Sequence, residues 1–284
     1  MIFTDQHKVI VPLDKKELQT FFDATSLKVI NFFLKKSMVS QPEPFKGQSN
    51  MPIHIPKEHI EQWVCQAIQK AEPVGAGSYP IDVVAKPYWG ADIKMLSCKI
   101  DKKTNKLKNA DSGETSLAQK FGDDNFGDGN TLDDLFTKLD YTTIWESWKE
   151  ILLEKYKIVE KDFGVNDIYF FFVLRANLNF HLCGMKVNLN NLSNTEINYD
   201  RSTKSSMWVK NYIHDNFGHV KVYKSKKRLE LRLKPKYWVE NNLVITFKTE
   251  FKAEEESIRQ LIERDELQSY IDKKVKPILN IKKI

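Results

Sequence analysis

Three residues carry the clearest chemical signal in this chain: Asp82, Asp92 and Lys94. Asp92 and Lys94 stand two apart in Gly90-Ala91-Asp92-Ile93-Lys94, so on a β-strand both side chains leave from one face. Asp82 closes the segment Ser78-Tyr79-Pro80-Ile81-Asp82, and a hairpin joining the two segments would bring the three groups together. Two carboxylates beside an ammonium are suited to phosphodiester hydrolysis. The carboxylates can hold one or two Mg²⁺ ions, which polarise a phosphoryl oxygen and lower the pKa of a bound water. The lysine can orient that water or stabilise charge developing on the phosphate. Hard oxygen donors favour Mg²⁺ or Mn²⁺ over zinc. The same residue types also make ordinary surface ion pairs, so the weight of the reading falls on the elements that would position them.

Tyr79 to Ala85 and Ala91 to Ile100 are β-like runs, with Lys86-Pro87-Tyr88-Trp89-Gly90 as the turn between them. Ile81 and Ile93 are expected to bury the face opposite the acids. Upstream, Asp14 can cap a helix over residues 15–36, in which Leu18, Phe21, Phe22, Leu27, Ile30 and Phe33 recur at helical spacing. A second helix is expected from about Pro56, with Ile60, Val64, Ile68 and Ala71 on one face, ended by Pro73 and Gly75-Ala76-Gly77. Downstream, Asp101 to Asp111 reads as an exposed lysine-rich loop or hairpin. Ser112 to Phe121 reads as a polar turn entering a short helix, and Phe121 to Asn130 as a loop. Thr131 can cap a long helix through Leu152. Ile168 to Leu174 is continuously apolar and suits a central strand buried on both faces. Asn179 to Leu189 and parts of Val220 to Phe247 alternate as strands do, and Ala253 to Ile271 is a charged helical stretch.

The order of elements predicts a mixed α/β fold, with a mixed central sheet flanked by helices and a β-rich C-terminal elaboration. Residues 1–178 form the expected core and 179–284 the β-rich basic part with a final helix; the two can form one domain. The chain's 284 residues, 41% hydrophobic and 12% aromatic, suffice for one large core and exclude global disorder. Cys65, Cys98 and Cys183 are odd in number and widely spaced, which argues against a disulfide framework or a zinc site. The first residues lack the apolar run of a signal peptide, and no apolar stretch is long enough to cross a bilayer. A cytoplasmic protein is expected. There is no phosphate-binding glycine loop, so no nucleotide cofactor is expected, and neither HExxH nor a nucleophile elbow occurs.

Asp82 followed by Asp92-Ile93-Lys94 resembles the PD-(D/E)xK nuclease signature, and the glycine-rich turn before it and Ala91 before the second acid resemble type II restriction endonucleases. The sequence departs from the pattern in two places: Ile81 separates Pro80 from Asp82, and the second acid is Asp rather than Glu. The resemblance implies a restriction-endonuclease-like core. It implies metal ligation by Asp82 and Asp92, water activation with Lys94, and Mg²⁺ as cofactor. It also implies cleavage of double-stranded DNA to leave 5′-phosphates. Related nucleases often place a glutamate from the preceding helix at the metal, which makes Glu61 a candidate ligand. A homodimer is expected where a palindromic site maps onto a two-fold axis.

From Arg201 to Trp238 the chain has eleven basic residues against Asp215 and Glu230; this local excess is larger than the net +6 of the whole chain. Arg201, Lys204, Lys224, Lys226, Lys227 and Arg228 are candidate DNA contacts, with Trp208, Tyr212, Tyr223, Tyr237 and Trp238 interleaved. The competing explanation is a lysine-protected sheet edge. Ser116, Gln119 and Lys120 are further candidates for phosphate or base contact, against a plain helix start in the same segment. His214, Asn216 and His219 admit an H-N-H reading, without the glycine and cysteine pattern that would accompany it. Two alternatives to a site-specific endonuclease stay open: a repair or structure-specific nuclease of the same fold, and a non-enzymatic DNA-binding protein.

Overall fold

The computed structural model describes residues 7–48, 53–75, 79–86, 88–104, 106–110, 112–119, 130–250 and 255–279. In chain order the elements are β1 (Ile10–Pro12), α1 (Lys15–Phe21), α2 (Ala24–Val39), α3 (Ile60–Ala67), β2 (Glu72–Pro73), β3 (Val83–Ala85), β4 (Trp89–Ser97) and β5 (Ser112–Gln119). They continue with α4 (Leu132–Lys138), α5 (Tyr141–Phe163), β6 (Asp167–Ala176), β7 (Asn179–Val187), β8 (Glu196–Ile197), β9 (Ser206–Lys210), β10 (Gly218–Tyr223) and β11 (Arg228–Leu233). The last are α6 (Pro235–Glu240), β12 (Ile245–Lys248), α7 (Ile258–Glu263) and α8 (Leu267–Leu279). Two sheets result. The first runs β1-β7-β6-β4-β3-β2, with β12 also paired to β7, and is mixed: β4 and β6 are parallel, the other pairs antiparallel. The second runs β5-β11-β10-β9-β8 and is antiparallel.

The apolar run in β6 explains its central place. Every residue from Ile168 to Leu174 is buried. Tyr169, Phe171 and Val173 face a layer made by α1, α2 and α3. Phe170, Phe172 and Leu174 face α4, α5 and the second sheet. The fold is therefore α/β, with a mixed sheet flanked by helices on one side and by helices plus a second sheet on the other.

Several expected boundaries move. The helix expected over 15–36 is two helices, because Asp23 accepts the Ser26 backbone N–H at 2.7 Å and starts a new one. Asp14 does cap α1, in a reciprocal box with Glu17. The helix expected from Thr131 is likewise broken. Leu139 takes a left-handed conformation, φ 58°, and Asp140 caps α5. Ser112 to Gln119 is a strand, not a turn into a helix: pairing with β11 recruits residues of low strand propensity. The division expected after residue 178 does not separate the sheets. β7 and β12 complete the first sheet, while β5, from the first half, forms one edge of the second. Most of the loop expected at 121–130 lies outside the described residues.

Candidate functional site

The hairpin that the acids require is present. Val83 pairs with Ala91 across β3 and β4. Asp82 continues that register by one residue, donating its N–H to Ala91 O at 2.8 Å, and so stands opposite Asp92. One Asp82 carboxylate oxygen accepts the Ile93 backbone N–H at 2.7 Å and lies 3.2 Å from Lys94 Nζ. Lys94 Nζ lies 2.6 Å from Asp92 Oδ1. A single ammonium therefore bridges both carboxylates. Ile93 packs against α1–α3 as expected, but Ile81 does not: it packs on the α5 side. Asp82 sits in a bend before β3, so strand alternation does not extend back to Ile81. Gly90 makes room for it, since a Cβ there would meet Ile81 Cδ1 at 2.8 Å.

Asp92 is 8% exposed. Burial raises its carboxyl; the Lys94 ammonium pulls it down and the Asp82 charge pushes it up, leaving it at about 7. Burial alone would lower the Lys94 ammonium, but the two aspartates outweigh it and hold its pKa above the ordinary value. Glu61, half-buried near the start of α3, has its carboxyl raised by burial first and by the Asp82 charge second, with Lys94 opposing. Its titration therefore depends on both Asp82 and Lys94. A cleft of about 500 Å³ adjoins the group at Lys94, lined also by Lys57, Glu58 and Glu61 from the helical side, Ser97 from β4 and Thr115 from β5; Asp82 and Asp92 lie behind this lining. Among the described residues no three His, Cys, Asp or Glu side chains stand close enough together to hold an ion; the cation between the aspartates is Lys94.

One residue near the cluster was not anticipated. Lys155 of α5 is partly buried and donates to Leu117 O at 3.3 Å, tying α5 to β5. Burial lowers its ammonium, while Asp92 and Asp82 pull it up and Lys94 pushes it down. The signal was available in the spacing. Lys155 lies on the stripe of Trp148, Leu152 and Val159, all fully buried, where a lysine is out of place unless carboxylates face it.

The basic segment forms the second sheet, and its strands alternate strictly. Met207, Val209, Val220, Val222, Leu229, Leu231 and Leu233 face the core. The opposite, outer face carries Trp208, His219, Lys221, Tyr223, Arg228, Glu230 and Arg232. Edge protection does not explain these cations, because β10 and β11 are interior strands and the edges are β5 and β8. Of the interleaved aromatics, Tyr212 and Trp238 are core residues, and Tyr237 packs on Phe217. Trp208 and Tyr223 remain on the outer face.

The predicted contact residues divide accordingly. Arg201 lies over Trp208, Cζ 3.7 Å from the ring centroid. Lys226 and Arg228 stand 3.1 and 3.9 Å from Glu230. Lys224 reaches Asp133 at 3.9 Å. Lys204 and Lys227 are exposed in turns. Ser116 is opposite Glu230 and Gln119 opposite Arg228 in the β5–β11 ladder; Lys120 lies outside the described residues. His219 packs on Trp208 at 4.5 Å between ring centroids, and His214 accepts the Asn216 backbone N–H. Among the described residues no helix is long and apolar enough to cross a membrane. No family model matches this chain, and no curated protein or solved structure matches it either.

Proposed function

We propose that this protein is a Mg²⁺-dependent endonuclease acting on double-stranded DNA, with a restriction-endonuclease-like core. The observation that carries the reading is the Asp82–Lys94–Asp92 bridge, whose lysine lines an open cleft. Two carboxylates served by one lysine leave negative charge to spare, and their oxygens are the donors that Mg²⁺ prefers. Asp82 and Asp92 would hold the ion; Glu61, whose carboxyl senses the Asp82 charge, does not complete a three-carboxylate group with them, so water would fill the remaining positions. When bound, Mg²⁺ supplies Lewis-acid polarisation of the phosphoryl oxygen and a lower pKa for water. The chain's own residues do the rest. The Ile93 backbone N–H fixes the orientation of the Asp82 carboxylate. Asp92 must lose its proton before it can act as a ligand. Lys94 keeps its proton, so it can hold an attacking water or a phosphate oxygen by donating to it.

Cleavage of both strands at a specific site fits the large second sheet, which offers surface for recognition beyond the catalytic hairpin. A two-fold dimer would then match a palindromic site. The test is incubation of the purified protein with phage DNA and Mg²⁺, followed by mapping of fragment ends. Discrete fragments with 5′-phosphates support the proposal, and uniform nicking turns it into a structure-specific or repair nuclease. Intact DNA from the folded protein at high Mg²⁺ would overturn it. The second reading, a DNA-binding protein without catalysis, draws on the same bridge, because a lysine between a buried and a partly buried acid is also a structural ion pair. Binding that neither Mg²⁺ nor Asp92→Ala alters, with no cleavage, would select it.

A further inference from the structure

The outer face of the second sheet has a charge arrangement unlike a solvated surface. Glu230 is 0% exposed. Lys226 Nζ lies 3.1 Å from it, Arg232 3.5 Å and Arg228 3.9 Å. One buried carboxylate thus serves three cations. Lys221 on β10, directly opposite Glu230 on β11 and Trp208 on β9, is held between rings, with Nζ 4.6 Å from the Trp208 centroid and 4.2 Å from that of Tyr223. Arg201 covers Trp208, and Lys226 and Arg232 lie 5.1 and 5.4 Å from Tyr223. The two rings serve as supports for cations. A ring crowded by Arg201, Lys221 and His219 has little face left for a nucleobase, so the surface is built for charge rather than for base stacking.

We infer that this face is a preorganised rack for the phosphate backbone of duplex DNA, and that Glu230 is its positioning residue. The inference rests on the proposal that the substrate is DNA. Holding long cationic side chains in place before binding reduces the ordering cost of binding. The segment from Arg201 to Trp238 carries eleven basic residues against Asp215 and Glu230, so one buried carboxylate does this without cancelling its positive charge. β5 links the rack to the chemistry: Ser116 lies opposite Glu230, and the neighbouring Thr115 lines the catalytic cleft.

The test is fluorescence anisotropy of the full-length protein in EDTA, with a labelled duplex and the matching single strand, over 50–200 mM salt. Metal-free conditions separate binding from cleavage. For Arg228→Gln/Arg232→Gln we expect duplex binding at least about tenfold weaker and a log–log salt slope shallower by about one to two. Glu230→Gln adds a unit of positive charge, so simple electrostatics predicts tighter binding; loss of positioning predicts binding at least about tenfold weaker. Wild-type affinity and slope in the double variant would overturn the rack. Unchanged or tighter binding by Glu230→Gln would overturn the positioning role. Tighter binding of the single strand than of the duplex would overturn the choice of ligand. Should Glu230→Gln fail to fold, judged by circular dichroism, the double variant at partly exposed side chains still decides the rack, and Glu230→Asp, expected to keep at least part of the affinity, decides the positioning. Plasmid cleavage in Mg²⁺ is scored separately. Binding without cleavage removes the nuclease reading and leaves the rack, whereas cleavage with an unaffected double variant removes the rack alone.

Discussion

The Asp82–Lys94–Asp92 hairpin and the outer face of the second sheet have opposite charge arrangements. In the hairpin Lys94 bridges a buried acid, Asp92, and a partly buried one, Asp82; on the outer face the buried Glu230 meets three cations. Burying a charge is unfavourable unless it is paired, so each cluster contains the minimum of opposite charge that lets it fold. What is left over points to the missing partner. The hairpin sets Asp82 and Asp92 around one bridging lysine, with Lys155 farther off, and two carboxylates are what a divalent-cation site needs. The outer face belongs to a segment with an excess of positive charge, as a polyanion site would.

The largest expected effect breaks this comparison on the hairpin side. Asp92→Asn keeps the shape of the side chain and removes its charge. Plasmid cleavage in Mg²⁺ should fall by at least about 10³-fold, since both metal retention and charge stabilisation are lost. Duplex binding in EDTA should persist, because the rack is untouched. A variant with near-normal cleavage would mean that the chemistry lies elsewhere.

Removing the bridging cation comes next. Lys94→Met leaves Asp82 and Asp92 facing each other without their bridging cation, with only Lys155 farther off. Metal-free stability should drop by about 2 kcal/mol, less than for a fully buried pair because a third of the lysine side chain is open to water. Mg²⁺ should recover much of that loss, so the Mg²⁺-dependent rise in Tm should be larger in the variant than in the natural protein. An equal rise in both would show that the ion does not bind between the aspartates.

The hairpin was legible in the sequence because period-two alternation places Asp92 and Lys94 on one face whatever surrounds them. The central strand was legible for a similar reason, as seven consecutive apolar residues suit few other positions. The outer face was not. Its construction depends on register across strands: Lys221 meets Glu230 and Trp208 only because β10 pairs with β11 and β9 in one alignment. Tyr212 and Trp238 sit among the same basic residues in sequence and end in the core, so interleaving alone does not tell a surface aromatic from a buried one. Lys155 was missed because the helix expected from Thr131 stopped at Leu152, whereas α5 continues to Phe163 and carries Lys155 on the same stripe. β5 was missed because Ser112, Gly113 and Glu114 favour turns, and only pairing to β11 makes them a strand.

The pH dependence tests the hairpin more finely. The Asp92 carboxyl is raised, by burial first, to about 7. In the metal-free protein a raised carboxyl contributes stability below its unfolded pKa, and that contribution is lost as pH rises through 7. A divalent ion needs the carboxylate, so Mg²⁺ affinity should follow the opposite course. It should strengthen by about tenfold per unit up to pH 7 and level off above it. Calorimetric Mg²⁺ titrations between pH 5.5 and 8.5 would measure this, and a flat profile would mean that Asp92 is not the titrating ligand.

The smallest expected effect falls on the outer face and separates the supports from the charges they hold. Tyr223→Leu retains an apolar side chain beside Lys221, Lys226 and Arg232 but removes the ring. Each cation–π contact at a partly exposed site is worth about 0.5–1 kcal/mol. Net charge is unchanged, so the salt slope of duplex binding should hold while Kd weakens about two- to fivefold. That combination would distinguish a support from a phosphate contact, whose loss lowers slope and affinity together. A Tyr223→Leu variant with a shallower slope would mean that the ring keeps at least one cation in contact with phosphate. One with unchanged Kd would mean that the cations hold their places through Glu230 alone.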